Sequence, residues 1–279
     1  MLALLVFLFC WSNAILIFGL ASAIVIHFAS LVVLLLRFPG GILALRTSRL
    51  ATFIARRWAR VRVEEESLKL LRSLDPLARR VYAVEPHGAK TIGMALTLGA
   101  PGTESTPAAL ANNCVVVAHW ILFLVPFVAQ LFVLSGVVCS RPNYFLYRAL
   151  DRGLSFAVCP SGLEGKLAAL TRPTDDPTHH RIIHVVPRYH RLGFCSLATR
   201  MKAKLVPVLS LQENTAVSNW LFGLLAFTPK HAEMLVRVGT PIDTAGYNHE
   251  IKEDMQMLAA KYYEALKELA RPDYHVLLE

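Results

Sequence analysis

From Met1 to Leu36 the chain carries no charged side chain, and the first charge it meets is Arg37. A helix needs about 20 apolar residues to cross a bilayer, so this uncharged run is too long for one span and slightly short for two. A tight hairpin or re-entrant pair over residues 1–38 fits the length best, with its turn near Ser12-Asn13 or Gly19. A cleaved secretory leader is the competing account. It fits poorly, because no basic residue follows Met1 and the apolar run continues for 13 residues past Ala21-Ser22-Ala23.

Behind this segment stand seven arginines, Arg37, Arg46, Arg49, Arg56, Arg57, Arg60 and Arg62, with no acid before Val63. Positive residues close to a span are retained on the cytosolic side and are attracted to anionic headgroups. Residues 39–79 therefore read as a basic juxtamembrane or amphipathic segment, and the body that follows as cytosolic. Nucleic acid is the other partner a basic patch suits, but the cluster abuts an apolar anchor and no reading module accompanies it. The same two excesses run through the composition: 54% of the 279 residues are hydrophobic, mean hydropathy is +0.45, and 18% charged residues still sum to +9. Soluble domains are about 45–50% apolar with about a quarter of residues charged, so membrane association is the natural reading. Five cysteines, at 10, 114, 139, 159 and 195, form no C-x-x-C pair, and no Asn-x-Ser/Thr sequon occurs. Both features agree with a reducing, cytosol-facing body.

Beyond residue 79, short apolar runs alternate with longer periodic ones. Val81–Val84, Cys114–Ala118, Phe156–Cys159, Ile182–Val186, Leu205–Leu211 and Met234–Val238 read as strands, which makes residues 80–279 an α/β domain. Ile251, Met255, Leu258, Tyr262, Leu266 and Leu269 fall at helical spacing, after Asn248 as N-cap and before Arg271-Pro272 as a stop. That helix reads as packing. Cys114 to Ser140 holds no formal charge over 27 residues but contains Pro126, and it reads as a strand, an apolar helix on or partly in the membrane, and a second strand. Asn219–Phe227 is a second apolar surface segment, too short to span.

The most informative cluster is Glu85-Pro86-His87-Gly88, placed where a strand ends. Reactive groups of open α/β sheets collect outside the carboxyl ends of strands, and a proline followed closely by glycine favours a turn. An imidazole with an ordinary pKa near 6.5 can take a proton from a hydroxyl at neutral pH. Three more segments follow in order: Cys159-Pro160-Ser161-Gly162-Leu163-Glu164-Gly165-Lys166, Arg191-Leu192-Gly193-Phe194-Cys195-Ser196-Leu197-Ala198, and Leu205-Val206-Pro207-Val208 running on to Glu213-Asn214. With these residues the chain resembles the type-2 diacylglycerol acyltransferase family, which includes monoacylglycerol and wax-alcohol acyltransferases. That family carries a His-Pro-His-Gly or Glu-Pro-His turn, a Pro-Gly-Gly…Glu loop, an Arg-x-Gly-Phe helix start and a Val-Pro-Val…Glu-Asn strand in the same order.

The resemblance spans about residues 80–270. It implies a glycerolipid-acyltransferase-like mixed sheet flanked by helices, and acyl transfer from acyl-CoA to mono- or diacylglycerol without metal or resident cofactor. The catalytic residues implied are His87 as general base, Glu85 beside it, and Glu164 to orient His87 or hold the acceptor's polar group. The substrate-binding positions implied are Gly88, Arg141, Ser161, Gly162, Arg191, Gly193, Phe194, Glu213 and Asn214. Backbone N–H groups near Gly88 or Gly162 suit a developing oxyanion, and Arg141, Arg191, Lys202 and Lys204 suit the phosphates of coenzyme A. Partners are then acyl-CoA, a neutral glycerolipid and membrane lipid, with room for a homo-oligomer. The implied location is the cytosolic face of the endoplasmic reticulum, or a lipid droplet.

The departures from the pattern are specific. Glu85 replaces the first histidine of the turn, and the Pro160–Glu164 loop has one glycine fewer. Lysophospholipid and glycerol-phosphate acyltransferases use His-x-x-x-x-Asp, whereas the residue five beyond His87 is Ile92. A catalytically silent lipid-binding relative is the reading from another class, supported by the altered loop. Gly153-Leu154-Ser155-Phe156-Ala157 imitates a hydrolase elbow, but its serine enters a strand where the elbow needs to leave one. His179-His180-x-x-x-His184 closes a Pro/Thr/Asp-rich loop and reads as a polar surface turn.

Overall fold

Six consecutive residues, Arg80 to Glu85, are buried on both faces of one strand, and the rest of the body is arranged around them. The computed structural model describes residues 2–38, 41, 60–75, 77–86, 113–124, 128–140, 143–162, 182–185, 192–211, 233–272 and 274–278. Its strands are β1 (Arg60–Val63), β2 (Arg80–Glu85), β3 (Cys114–Ala118), β4 (Val137–Cys139), β5 (Ser155–Val158), β6 (Ile182–Val185), β7 (Lys204–Leu211), β8 (Glu233–Val238) and β9 (His275–Leu278). The α-helices are α1 (Leu2–Arg37), α2 (Glu65–Ser73), α3 (Val128–Leu134), α4 (Asn143–Asp151), α5 (Gly193–Arg200) and α6 (Lys252–Ala270), with a 3-10 turn at Trp120–Leu124.

Seven strands form one sheet in the order β1-β8-β7-β2-β5-β3-β4, parallel except for the β7–β8 pair, and β6 and β9 form a separate parallel pair. This is the α/β layering that the alternating pattern implies, in the mixed, helix-flanked form that the resemblance implies. Side chains alternate across β2: Val81 and Ala83 enter the core beneath α5 and α6, while Tyr82 and Val84 enter the core beside α2. Helix α6 contributes Met255, Leu258, Ala259, Tyr262, Tyr263, Leu266 and Ala270, all buried, to the first of these cores. Full burial of one such leucine contributes about 1.5–3 kcal/mol, so this stripe alone holds the helix to the sheet.

Three expectations change. The hairpin over residues 1–38 is instead one unbroken helix of 36 residues, about 54 Å long. No proline occurs before Pro39, and an isolated serine, asparagine or glycine costs no more than about 1 kcal/mol in a helix interior, too little to break it at Ser12-Asn13 or Gly19. Its stretch Phe18–Arg37, mean hydropathy 2.4, is long and apolar enough to cross a membrane. Next, residue 80 is no structural boundary, because β1 pairs in parallel with β8 in the main sheet and α2 packs on the same core. Arg62 points outward while Val63 is buried, the alternation of an edge strand, which a count of arginines hides. Last, Asn248 does not cap α6. The N-cap is Ile251, and Asp254 reaches back to accept the Asn248 N–H at 2.7 Å while the Asn248 side chain accepts the Glu250 N–H.

The apolar helix expected within 114–140 is present as two pieces, the Trp120–Leu124 turn and α3, on either side of the interval that holds Pro126. Proline lacks the N–H donor and disfavours helical geometry at the residue before it. Asn219–Phe227 lies outside the described residues. At its C-terminal end α6 is capped by Arg237 of β8, whose guanidinium donates to the carbonyls of Leu269 and Ala270 at 2.9 and 3.2 Å and to Glu64 Oε1 at 3.1 Å. A cation on the last carbonyls suits the helix dipole.

Candidate active site

The carboxyl ends of β7, β2 and β5 lie side by side at the middle of the sheet. β2 is also where the chain order turns: β3, β4 and β5 fill one side of it, and β7 and β8 the other. Such a switch point is where α/β sheets hold ligands. From these three ends the chain runs on into Pro86-His87-Gly88, Pro160-Ser161-Gly162 and Glu213-Asn214, so three of the four motif segments follow neighbouring strands.

Two of those segments are bonded to each other. Glu85 closes β2 with its side chain fully buried, and its Oε1 accepts the Ser161 N–H at 2.7 Å while Oε2 accepts the Ser161 hydroxyl at 2.7 Å. The Cys159 thiol donates to Oε2 at 3.8 Å and sits 3.7 Å from the Ser161 oxygen. Donors on both oxygens are the pattern of an ionised carboxylate. Gly162 then turns the chain with φ +53°, a left-handed conformation that suits glycine, and its N–H donates to the Cys159 carbonyl at 3.2 Å. The Ser161 N–H is thus taken by Glu85 and the Gly162 N–H by the turn itself, and neither is free for an oxyanion. Glu85 itself, expected among the catalytic residues, holds the 159–162 turn against the end of β2.

Beneath this junction lies Tyr262 of α6, fully buried, whose hydroxyl donates to the Ala83 carbonyl at 3.2 Å. Burial first, and then the negative charge of Glu85, push its phenol well above the ordinary range, so it acts as a donor and not as a base. Neither Tyr262 nor Cys159 stands out in the sequence. The one signal for Tyr262 is a hydroxyl on an otherwise apolar stripe, since a buried tyrosine needs a partner.

The remaining site expectations divide by place. Gly193 is the exposed first residue of α5, and Phe194 is buried, with its ring edge-to-face on Tyr262 at 5.1 Å. The phenylalanine of the Arg-x-Gly-Phe segment is therefore committed to the core under the site. Lys202 and Lys204, expected near coenzyme A phosphates, lie at the opposite edge: Lys204 is level with Arg80 at the amino end of β2, five residues from the Glu85 level. Strand rise makes that about 16 Å. His87, Gly88, Arg141, Glu164, Arg191, Glu213 and Asn214 lie outside the described residues.

Comparison with known proteins adds a fold likeness alone. No family model matches the chain, and no curated protein does. Among solved structures, the crystal structure of the 1-acyl-sn-glycerophosphate (LPA) acyltransferase PlsC from Thermotoga maritima is similar, with a TM-score of 0.48 and 15% identity over 85% of this chain and 79% of that chain.

Proposed function

We propose that the chain is a membrane-bound acyltransferase that moves a fatty acyl group from acyl-CoA to the hydroxyl of mono- or diacylglycerol, or of a long-chain alcohol. The observation that carries this reading is the Glu85–Ser161 junction, which ties the end of β2, from which the chain runs on into Pro86-His87, to the Ser161-Gly162 turn at the switch point of the sheet. In the proposed reaction His87 takes the acceptor's proton, the acceptor oxygen attacks the thioester carbon, the carbon–sulfur bond breaks, and the departing thiolate takes up the proton. The products are an oxygen ester and free coenzyme A. General-base assistance of this kind contributes typically 10²–10⁴-fold, the size of effect to expect at His87.

The setting follows from α1. Between Phe18 and Val33 it is largely exposed and apolar, as in Val25 and Ile26, while Leu31 and Leu35 pack into the body, so in this reading the helix is both anchor and part of the fold. The arginines behind it favour the cytosolic face, and the resemblance adds the endoplasmic reticulum or a lipid droplet as the membrane. The test is transfer of labelled acyl groups by the chain in vesicles. Neutral acceptors should be acylated and His87→Ala should lose at least about 10²-fold in kcat. Unchanged activity in His87→Ala removes the mechanism, acylation of lysophosphatidate or glycerol phosphate alone moves the reading to phosphorylated acceptors, and lipid binding without turnover makes the chain a silent relative.

A further inference from the structure

The Trp120–Leu124 turn faces two ways. Phe123 is 3% exposed and packs with Leu31 and Leu35 of α1 and with Ala129 and Val133 of α3, whereas Trp120, Ile121, Leu122 and Leu124 are 41–54% exposed. Four large apolar side chains in five residues form a surface that no other element among the described residues covers. Its position relative to α1 is set by a hydrogen bond: the His27 Nε2–H donates to the Phe123 carbonyl at 3.0 Å. The other ring nitrogen, Nδ1, accepts from the Gln130 amide at 2.9 Å, and the same amide nitrogen reaches Ser30 Oγ at 3.1 Å. His27 is 7% exposed. These polar atoms turn inward between α1, the 3-10 turn and α3, as polar groups at hydrocarbon depth do, with Gln130 Oε1 alone among them buried and unpartnered within the described residues.

Position along α1 converts that contact into a depth. His27 lies ten residues before Arg37 in one unbroken helix, about 15 Å along its axis, against a hydrocarbon core about 30 Å thick. Arg37 begins the basic stretch that belongs at the membrane boundary. An element bonded to His27 therefore lies well inside the leaflet that the helix enters. No charged residue between Cys114 and Ser140 opposes this. We propose that the Trp120–Leu124 turn is inserted in the acyl-chain region of the leaflet beside α1, as a second foot of the body. The turn directly follows β3, and β3 is the strand next to β5, which leads to Ser161. The foot thus sets the carboxyl edge of the sheet over that leaflet, and the acceptor it favours is a lipid that enters sideways from the acyl-chain region.

This rests on the reading that α1 lies in a membrane, and the experiment separates the two. With Trp11, Trp58 and Trp220 replaced by phenylalanine, Trp120 is the sole tryptophan of the full chain in phosphatidylcholine–phosphatidylserine vesicles. A second variant adds Trp120→Phe and Val25→Trp to report on α1. Bromine at mid-chain in the lipid should quench most of the emission of both reporters, and aqueous iodide little of either. Quenching of the Val25→Trp reporter by bromine with Trp120 quenched by iodide overturns the foot and leaves α1 in the membrane. Iodide quenching of both overturns the foot and the reading beneath it. Shielding of Trp120 from both quenchers in a cross-linkable dimer gives the surface to a second copy of the chain and overturns the foot. A second measurement leaves the sequence untouched: photolysis with a mid-chain diazirine lipid should label the Trp120–Leu124 peptide, and labelling confined to α1 overturns the foot.

Discussion

Both oxygens of the Glu85 carboxylate are taken by one residue, Ser161, which gives its N–H to the first and its hydroxyl to the second, each at 2.7 Å. A charge-assisted buried bond contributes about 1.5–3 kcal/mol, and an orphaned buried donor costs about 1–3 kcal/mol. Glu85→Ala is expected to destabilise by about 3 kcal/mol and Ser161→Ala by less, because the backbone donor survives. The loss in the double variant should fall short of the sum of the two single losses by about 0.5–3 kcal/mol. Chemical unfolding in detergent measures the cycle. If Glu85 were the proton acceptor instead, Glu85→Gln would abolish turnover while Ser161→Ala left it intact; positioning requires both to reduce kcat together.

Gly41 packs its backbone on the turn before β4. A Cβ there would press on the Gly136 nitrogen and stand 2.6 Å from the Leu134 carbonyl, at φ +74°. Gly153 shares the conformation, φ +73°, but has open space around it. Left-handed backbone costs a side chain about 1–2 kcal/mol. Gly153→Ala should show that amount alone, and Gly41→Ala at least about 1–3 kcal/mol more from the forced backbone shift. Equal thermal midpoints for the two would refute the close approach.

Arg237, 7% exposed, serves both Glu64 and the last carbonyls of α6. Arg237→Met is expected to destabilise by about 3 kcal/mol, the lower end for a broken buried pair, since Glu64 keeps some contact with water. Arg237→Lys restores the charge but not the fork, and should recover only part of the loss. Loss of hydrogen-exchange protection in the last turn of α6 would accompany both.

Stability should fall on the alkaline side. Burial raises the Cys195 thiol and the Tyr82 and Tyr262 phenols above their ordinary values. Each such group keeps its proton longer folded than unfolded, so its contribution is whole below the unfolded pKa and is lost as pH rises beyond it. The decline should start near about 8.5 with the thiol and steepen near about 10 with the phenols. In an unfolding midpoint series, Cys195→Ala should remove the first part and Tyr262→Phe reduce the second. An unchanged alkaline slope in both would count against the burial assignment.

The core strands were legible because parallel, doubly covered strands are continuous apolar runs: Val81–Val84 and Leu205–Leu211 are within one or two residues of β2 and β7. β1 and β9 were not. Arg60–Val63 is half arginine, and only its pairing with β8 explains it. His275–Leu278 pairs with β6, nearly a hundred residues away, and no local pattern reports such a partner. At the site, order along the chain pointed to Glu85 and Ser161 together but not to what joins them, because the direction of a side chain at a strand end depends on its neighbours. Phe194 shows the converse: a motif position that reads as substrate-facing is held by Tyr262. The hairpin that length suggests does not form, because only a breaker, proline above all, stops an apolar helix and none stands before Pro39.

The polar seam of His27, Ser30 and Gln130 makes α1 a poor candidate for exchange. A body expressed from residue 39 onward would not be a detached soluble form: it would uncover Phe123, Ala129, Val133 and Cys139 and strand the Phe123 carbonyl and the Gln130 amide. A generic apolar helix of the same length grafted in its place would restore the hydropathy and none of those bonds. In this chain the apolar helix and the fold are one object: the element long and apolar enough to cross a membrane also completes the wall of the body.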